Sequence, residues 1–214
     1  MNESRKKSID YWNRILKKYE KDDIKYDDWL SIFKNIIVNV DTPIIDLGCG
    51  NGNDTRFLIE LNKKVISCDL SINALHNIKR KFAKVYDTKC FDMLDGLPFV
   101  DNYTDLIIAD LSLHYFLEKD TYKIINEIKR VLTKEGHLIF RVNSINDINH
   151  GAGKGIEIEK NLFVSEDGIF KRFFTEEDIK RFFKDFIIEY LEEEPMNRYT
   201  LEKMVYRVCV KNNK

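Results

Sequence analysis

The length, composition and charge of this chain favour one α/β domain and argue against several classes of partner. Its 214 residues, 43% of them hydrophobic, suffice to bury a substantial core, and no apolar run approaches the ~20 residues that cross a bilayer. Because the net charge is −1 and the N-terminal segment is polar, we expect a cytoplasmic protein without a signal peptide, membrane contact or nucleic-acid partner.

The first 40 residues predict two helices. Tyr11, Ile15 and Tyr19 recur at helical spacing, and a second apolar stripe runs from Trp29 to Ile37. These helices either only cover a sheet or also close a ligand pocket with aromatic side chains. The side chains available for such a roof are Tyr11, Trp12 and Tyr26.

Residues 44–52 read IIDLGCGNG and predict a ligand-binding turn. A short apolar strand runs into Asp46 and three alternating glycines, and a helical pattern with Asp54 as its N-cap follows. Glycines permit positive φ angles and close approach of a ligand, and a helix N-terminus offers free N–H groups. A dinucleotide fingerprint would need glycine where Asn53 stands, and no stretch supplies a phosphate P-loop.

Further acidic residues follow the next predicted strands. Asp69 ends the second strand, about 20 residues beyond the glycines, where a carboxylate can bind both hydroxyls of a ribose. Ser71 is the better cap for the helix that follows. Asp92 follows a third strand. Leu106 to Ala109 forms a fully apolar central strand, and Asp110 to Tyr115 follow at its carboxyl end, where open α/β sheets bind ligands.

The rest of the chain predicts a helix, a fifth strand, a long loop, and a closing helix with two antiparallel strands. Residues 143–174 are the least regular part, with several glycines around Lys154, and we expect a substrate lid there. Thr175 and Asp178 fit a capping box at the start of the last helix. The segments of the single domain are a helical cap (1–40), a ligand-binding core (43–142), the lid (143–174) and the final helix and hairpin (175–214).

The acid–glycine motif at Asp46 and the run DGLPFVDNYTDLIIADLSLHYF from Asp95 to Phe116 occur together and in order. Together they resemble the class I S-adenosylmethionine (SAM) dependent methyltransferases over residues 44–142. The resemblance implies a Rossmann-like α/β fold, with a doubly wound, mostly parallel seven-stranded sheet, helices on both faces and a C-terminal antiparallel hairpin. The tail, with GAGKGIEIE and RYTLEK, more loosely resembles small bacterial tellurite-resistance (TehB-type) and thiopurine-type enzymes.

The resemblance also implies SAM as the cofactor and S-adenosylhomocysteine as the product. In this family the first acid meets the methionine end of SAM directly or through water. The acid after strand three binds the adenine amino group and the next residue packs on the ring, here Asp92 and Met93. The implied cofactor residues are Asp46, Gly48, Cys49, Gly50, Asn51, Gly52, Asp69, Leu70, Asp92, Met93, Asp110 and Leu111. No metal is expected, because the cysteines and histidines show no ligand spacing.

The acceptor is expected to be a small molecule bound by a monomer or homodimer. His114 is the candidate general base for a hydroxyl acceptor, although a soft nucleophile needs little help. The candidate acceptor-binding residues are Tyr11, Trp12, Tyr115, Arg141, Asn143, His150, Lys154 and Arg172. The alternatives are a SAM-binding protein without catalysis, and an RNA or protein methyltransferase, which a basic face near Asp110 to Tyr115 would favour. Asn53 disfavours a nicotinamide oxidoreductase.

Overall fold

The computed structural model describes residues 3–18 and 27–214, and its centre is one large sheet. The strands are β1 (Ile44–Leu47), β2 (Val65–Asp69), β3 (Asp87–Cys90), β4 (Thr104–Asp110), β5 (Leu132–Asn143), β6 (Ile156–Glu159), β7 (Leu162–Val164), β8 (Phe170–Arg172), β9 (Phe186–Met196) and β10 (Lys203–Asn212). Seven of them form a sheet in the order β3-β2-β1-β4-β5-β10-β9. Neighbours among β1 to β5 pair in parallel, whereas β10 is antiparallel to β5 and β9. The predicted Rossmann-like sheet with a closing hairpin is confirmed.

Helices cover both faces of this sheet, as predicted. They are α1 (Glu3–Lys18), α2 (Lys34–Val38), α3 (Asn53–Glu60), α4 (Ile72–Lys81), α5 (Glu118–Val131) and α6 (Glu176–Phe182). Ile128 of α5 and Phe182 of α6 pack into the core on one face, and Trp29 and Leu58 pack into the core on the other. None of the helices within 3–18 and 27–214 is long and apolar enough to cross a membrane.

The strand order reverses beside β1. The chain moves outward from β1 through β2 to β3, and then returns to β4 on the other side of β1. The loops after β1 and β4 therefore diverge and leave a crevice at the carboxyl ends of the strands. The acid–glycine turn and Asp110 both lie at this edge, because they end β1 and β4.

The local helix signals are largely confirmed, with one difference. The Ser71 hydroxyl accepts the Ala74 amide at the start of α4, and Thr175 and Asp178 form the predicted capping box of α6. At α3, however, the N-cap position is Gly52, and Asp54 lies in the first turn. The carboxylate of Asp54 is engaged instead by the indole N–H of Trp29, at 2.8 Å. The Asp54 side chain therefore makes a tertiary hydrogen bond with Trp29 instead of the N-cap bond that the local pattern predicted.

The region 143–174 is not an irregular loop, because it contains a second sheet. Strands β6, β7 and β8 form an antiparallel meander in that order. Asn161 (φ 59°) and Gly168 (φ 78°) occupy the turns on either side of β7. Arg172 is 2% exposed and donates to Glu159 at 2.5 Å, which ties β8 to β6. The alternation in IEIEKNLFV was the sequence signal for this hairpin.

Candidate active site

The glycine turn after β1 is held tightly against its neighbours. The amides of Gly48 and Cys49 donate to the carbonyl of Cys68 at 2.8 and 2.9 Å. Gly48 has φ +81°, and a Cβ at this position would lie 2.4 Å from Cβ of Ser112. Only glycine fits there, because both the backbone angle and the close approach exclude a side chain. The turn therefore presents bare backbone to the crevice.

A cavity of about 630 Å³ opens at this edge of the sheet. Its volume lies within the roughly 300–1,000 Å³ that is typical of small-molecule sites. The wall is built from the ends of β1, β2 and β4, the turn after β3, helix α1 and the β9–β10 turn. The predicted cofactor residues on this wall are Gly48, Cys49, Gly50, Asn51, Asp69, Leu70, Asp92, Met93, Asp110 and Leu111.

Asp69 reaches the cavity from the end of β2 with both oxygens already oriented. One oxygen accepts the Gly50 amide at 2.9 Å and the other accepts the Ser71 amide at 2.8 Å. Burial raises the pKa of Asp69, and the backbone amides act against this rise. A carboxylate oxygen can accept more than one hydrogen bond, so both oxygens retain capacity for a diol. This geometry suits the predicted ribose contact.

Replacing Asp69 with Ala is expected to weaken binding of an adenosyl ligand by about 1.5–3 kcal/mol, the range for hydrogen bonds to a charged group. Isothermal titration with S-adenosylhomocysteine measures the effect. Asp87→Ala, an exposed acid on β3, is the matched control and should leave the affinity unchanged. Equal affinities for the parent and Asp69→Ala would refute the ribose assignment.

Asp92, after β3, is already engaged by helix α1. Nε of Arg5 donates to one of its oxygens at 2.8 Å, and the Leu94 amide donates to the other at 2.9 Å. The Arg5 guanidinium also reaches Asp95 at 2.6 Å. Because each oxygen can accept a further bond, Asp92 keeps acceptor capacity for the predicted adenine amino group. Arg5 itself lies on the cavity wall and was missed from the sequence.

Helix α1 forms a roof over the cavity, which supports the second of the two predicted roles for the N-terminal helices. Trp12 lies on the wall, 5.1 Å from the ring of Tyr115, and Leu16 lies beside it. Asn13 accepts a hydrogen bond from the Ser71 hydroxyl at 2.6 Å, which holds α1 to the start of α4. Tyr11 packs edge-on against Trp12 at 5.1 Å. The predictions for Tyr19 and Tyr26 lie outside the described residues.

Two residues of the glycine motif, Asp46 and Gly52, do not line the cavity that residues 3–18 and 27–214 form. Asp46 is 1% exposed and accepts the Thr55 hydroxyl at 2.5 Å. Burial raises the pKa of Asp46 to about 7, against the effect of that hydrogen bond. A Cβ on Gly52 would lie 2.6 Å from both Ile78 and Phe82. A direct cofactor contact by Asp46 or Gly52 is therefore not supported: the acid braces the turn and the glycine permits helix packing.

A buried charge network lies at the end of β4. Arg141 donates to both oxygens of Asp110 at 2.7 and 2.9 Å, and Arg198 lies 2.8 Å from one of them. Asp27 contacts the same two arginines, at 2.8 and 3.0 Å. Burial alone would raise the pKa of Asp110, but the two guanidinium groups hold it at about 2. Nε of Arg198 is buried and has no hydrogen-bond partner in the described part of the chain.

Sequence reasoning missed the members of this network that come from distant segments. Arg198 and Tyr199 lie in the turn between β9 and β10 and reach the cavity wall. Asp27 lies two residues before the buried Trp29, and Asp54 of α3 lines the cavity. The RYTLEK stretch was the available signal for Arg198, but nothing local shows that the hairpin turn folds back over the sheet edge.

Most of the predicted acceptor-binding residues serve the fold instead. Arg141 is 1% exposed within the network, and Arg172 joins β8 to β6. His150 contacts the carbonyl of Leu201 at 3.1 Å, and Lys154 is exposed on the loop before β6. Of the predicted set, the described cavity wall includes Trp12 and Tyr115.

His114 and Asn143 are buried next to the site without facing it. His114 is 1% exposed, and burial together with the charges of Lys203 and Lys171 lowers its pKa well below the ordinary value. It does not belong to the described cavity wall, so the structure does not support it as a general base. Asn143 is fully buried, and neither end of its amide has a partner among the described residues.

Comparison with known proteins supports the domain assignment. A family profile described as "Methyltransferase domain" matches residues 45–140. A solved SAM-dependent methyltransferase from Methanosarcina mazei has the same fold, with a TM-score of 0.72 over 85% of this chain and 97% of that chain, at 20% identity. The chain contains a class I SAM-dependent methyltransferase domain. SAM is accordingly the cofactor of this methyltransferase.

The residues on the cavity wall fit SAM. Asp69 lies beside the glycine turn for the ribose, and Asp92 with Met93 lies at the end of β3 for the adenine. Arg198 lies on the same wall, and a guanidinium group is suited to binding the methionine carboxylate. These residues would hold SAM at the ends of β1, β2 and β4.

Two curated relatives bear on the acceptor. The tRNA N(3)-methylcytidine methyltransferase trm141 of Schizosaccharomyces pombe is 26% identical, and the match covers 84% of this chain and 79% of that protein. The tRNA N(3)-cytidine methyltransferase METTL6 of Mus musculus is 30% identical, and the match covers 75% of this chain and 60% of that protein. This chain therefore matches less than two thirds of the length of the mouse relative.

These relatives overturn two predictions. A small-molecule acceptor and the absence of a nucleic-acid partner were expected, whereas both relatives are named for methylating cytidine in tRNA. The expectation about nucleic acid rested on the near-zero net charge, which says nothing about how charges are distributed over the surface. Composition was the wrong basis for that prediction.

Proposed function

We propose that this methyltransferase acts on RNA and transfers the methyl group of SAM to N3 of a cytidine in tRNA. The observation that carries the proposal is the extent of the likeness to the tRNA N(3)-cytidine enzymes. The trm141 alignment covers 84% of this chain, whereas the match to the methyltransferase domain covers only residues 45–140. The likeness therefore extends beyond the cofactor core.

Methylation at N3 of cytidine requires no general base. SAM, when bound, supplies a methyl group activated by its sulfonium sulfur. The lone pair of the neutral ring nitrogen forms the new N–C bond, the S–C bond breaks, and the positive charge passes from sulfur to the methylated base. No proton has to leave before or during the attack. His114 is not on the described cavity wall, which is consistent with this chemistry. The protein has only to position the base against the methyl group and to exclude water.

The cavity wall carries aromatic side chains suited to holding a base. They are Trp12, Phe91, Tyr115, Phe116, Phe170 and Tyr199. Stacking on an aromatic face stabilises a bound base by about 1–3 kcal/mol, and a ring also attracts the cationic methylated product. A base must leave its stack to enter an enclosed cavity, so a nucleotide in a loop suits this site better than one in a duplex.

The test is methylation of tRNA by the purified protein. We expect unfractionated tRNA incubated with methyl-labelled SAM to yield 3-methylcytidine after digestion to nucleosides, as identified by mass spectrometry. Free cytidine and a DNA oligonucleotide serve as comparison acceptors. Label on another atom or nucleoside, or no labelled nucleoside from a protein that binds SAM, would contradict the proposal. The looser resemblance to the TehB-type and thiopurine-type enzymes stays a prediction from the tail motifs and forms no part of it.

A further inference from the structure

The charges of this protein are separated across the sheet, although the net charge is −1. Helices α1 and α4 carry Arg5, Lys6, Lys7, Arg14, Lys17, Lys18, Lys79, Arg80 and Lys81, with Lys84 following α4. The acidic residues of α1 are Glu3 and Asp10, and α4 has none. Strand β9 has the opposite character, with four glutamates and no basic residue. Arg207 and Lys211 of the neighbouring β10 pair with Glu194 and Glu189, so the imbalance that the near-zero sum conceals is the excess of cations on α1 and α4.

The two basic helices lie side by side. Asn13 contacts Ser71 at 2.6 Å and Asn73 at 3.1 Å, and Leu16 accepts from Asn77 at 3.2 Å. Both helices therefore run in the same direction where they pack together. The exposed cations Lys6, Lys17, Lys18, Lys79 and Lys84 belong to one surface, which we name the α1–α4 surface.

This surface begins at the mouth of the active site. Arg5, Ser8, Trp12 and Leu16 of α1 line the cavity, so the exposed side of the same helix borders its opening. Helix α4 connects β2 to β3 and so lies at the β3 edge of the sheet, whereas the glutamate-rich β9 is the other edge. An approaching polyanion would be attracted to the side that carries the cavity roof.

Helix stability explains only part of this pattern. Cations in the last turn interact favourably with the helix dipole, which accounts for Lys17, Lys18, Lys79 and Lys81. It does not account for Lys6 in the first turn of α1, where a cation is unfavourable. Nor does it account for the lack of any acid in α4, since i, i+4 pairing with acids stabilises a solvated helix.

We propose that the α1–α4 surface binds the sugar–phosphate backbone of the RNA acceptor and delivers it to the cavity beneath α1. This inference rests on the proposed function. Lysine and arginine contacts to phosphate supply sequence-independent affinity and release condensed counterions, so binding weakens as salt increases. The surface positions the RNA, while the aromatic cavity wall holds the reacting base.

The experiment compares two charge-matched variants for binding to unfractionated tRNA over a series of salt concentrations. The test variant is Lys17→Gln, Lys18→Gln, Lys79→Gln and Lys84→Gln. The control variant is Lys34→Gln, Lys134→Gln, Lys180→Gln and Lys184→Gln, which removes exposed lysines outside both helices. Thermal unfolding and titration with S-adenosylhomocysteine establish that each variant is folded and binds the cofactor product.

The test variant is expected to lose at least tenfold in affinity for tRNA at low salt. Its slope of log K against log salt should fall by about 0.7–0.9 for each phosphate contact that is lost. The control should match the parent in both quantities. If the parent binds and methylates tRNA while the test variant keeps its affinity and slope, the inference fails and the proposed function stands. A parent that neither binds nor methylates tRNA overturns both.

Discussion

Replacing Arg141 with Met should destabilise the fold by about 3–5 kcal/mol, the range for removing one partner of a buried ion pair. Arg141 is 1% exposed, donates to Asp110 and Asp27, and stacks on Trp29 at 4.3 Å. Methionine preserves much of the volume but leaves the buried carboxylates of Asp27 and Asp110 without one of the two arginines that contact them. The energetic loss is therefore electrostatic rather than a loss of packing.

Urea denaturation followed by circular dichroism measures this loss. Arg56→Met is the matched control, because Arg56 is 49% exposed and pairs with Glu60 one turn away. Such a surface pair contributes at most about 0.5 kcal/mol. If Arg141→Met costs no more than Arg56→Met, the Asp110 network is not a determinant of stability.

The same variant should change the dependence of stability on acid pH. The pKa of Asp110 is held at about 2, below its ordinary value of 3.8. A carboxyl with a lower pKa in the folded state stabilises the protein above its unfolded pKa, and this contribution disappears as pH falls through the folded pKa. We expect Asp110 to contribute to the decline in parent stability between about pH 4 and pH 2, and this part of the decline to be smaller in Arg141→Met.

The second large effect is expected at Gly48, where Ala should displace the turn after β1. An Ala at φ +81° pays about 1–2 kcal/mol for the left-handed backbone, and its Cβ would lie 2.4 Å from Cβ of Ser112. Relief of that clash must move the turn or the loop after β4, and overpacking of this kind typically costs a further ~1–3 kcal/mol. We expect lower thermal stability and a loss of more than about tenfold in affinity for SAM, which is 1.4 kcal/mol.

Gly153→Ala separates the clash from the backbone angle. Gly153 also has a positive φ, +71°, but a Cβ there meets nothing within 4 Å. It should show only the backbone cost and unchanged SAM affinity. The double variant Gly48→Ala with Ser112→Gly removes the clashing Cβ and should recover part of the binding. Failure of that second substitution to restore any affinity would show that contact with Ser112 is not the cause.

Local pattern was a good guide to the cofactor side of the site. Asp69, Asp92 and Asp110 each end or follow a strand, and parallel strands bring their carboxyl ends to one edge, so chain order alone predicts that these acids meet. The same rule places Gly48 and Gly50 at the cavity. The rule does not predict that Asp46 is buried away from the cavity, because the direction in which a strand residue points depends on what packs beside it.

Local pattern was a poor guide to the acceptor side. Arg141 and Arg172 looked like oxyanion binders, but their partners Asp27, Asp110 and Glu159 come from segments whose proximity exists only in the folded chain. Arg198 reaches the cavity because the β9–β10 turn lies over the sheet edge. A guanidinium alone does not show whether it will meet a carboxylate of the protein or an anionic ligand.

The sequence by itself determined the Rossmann-like order of strands and helices, the glycine turn and the acids at the strand ends, because these depend on periodicity and chain direction. Only the tertiary structure decided which charged groups neutralise one another and which remain on the surface. Pairing and burial depend on distances between segments far apart in sequence. The basic α1–α4 surface is the clearest case, since a net charge of −1 conceals it until the two helices are placed side by side.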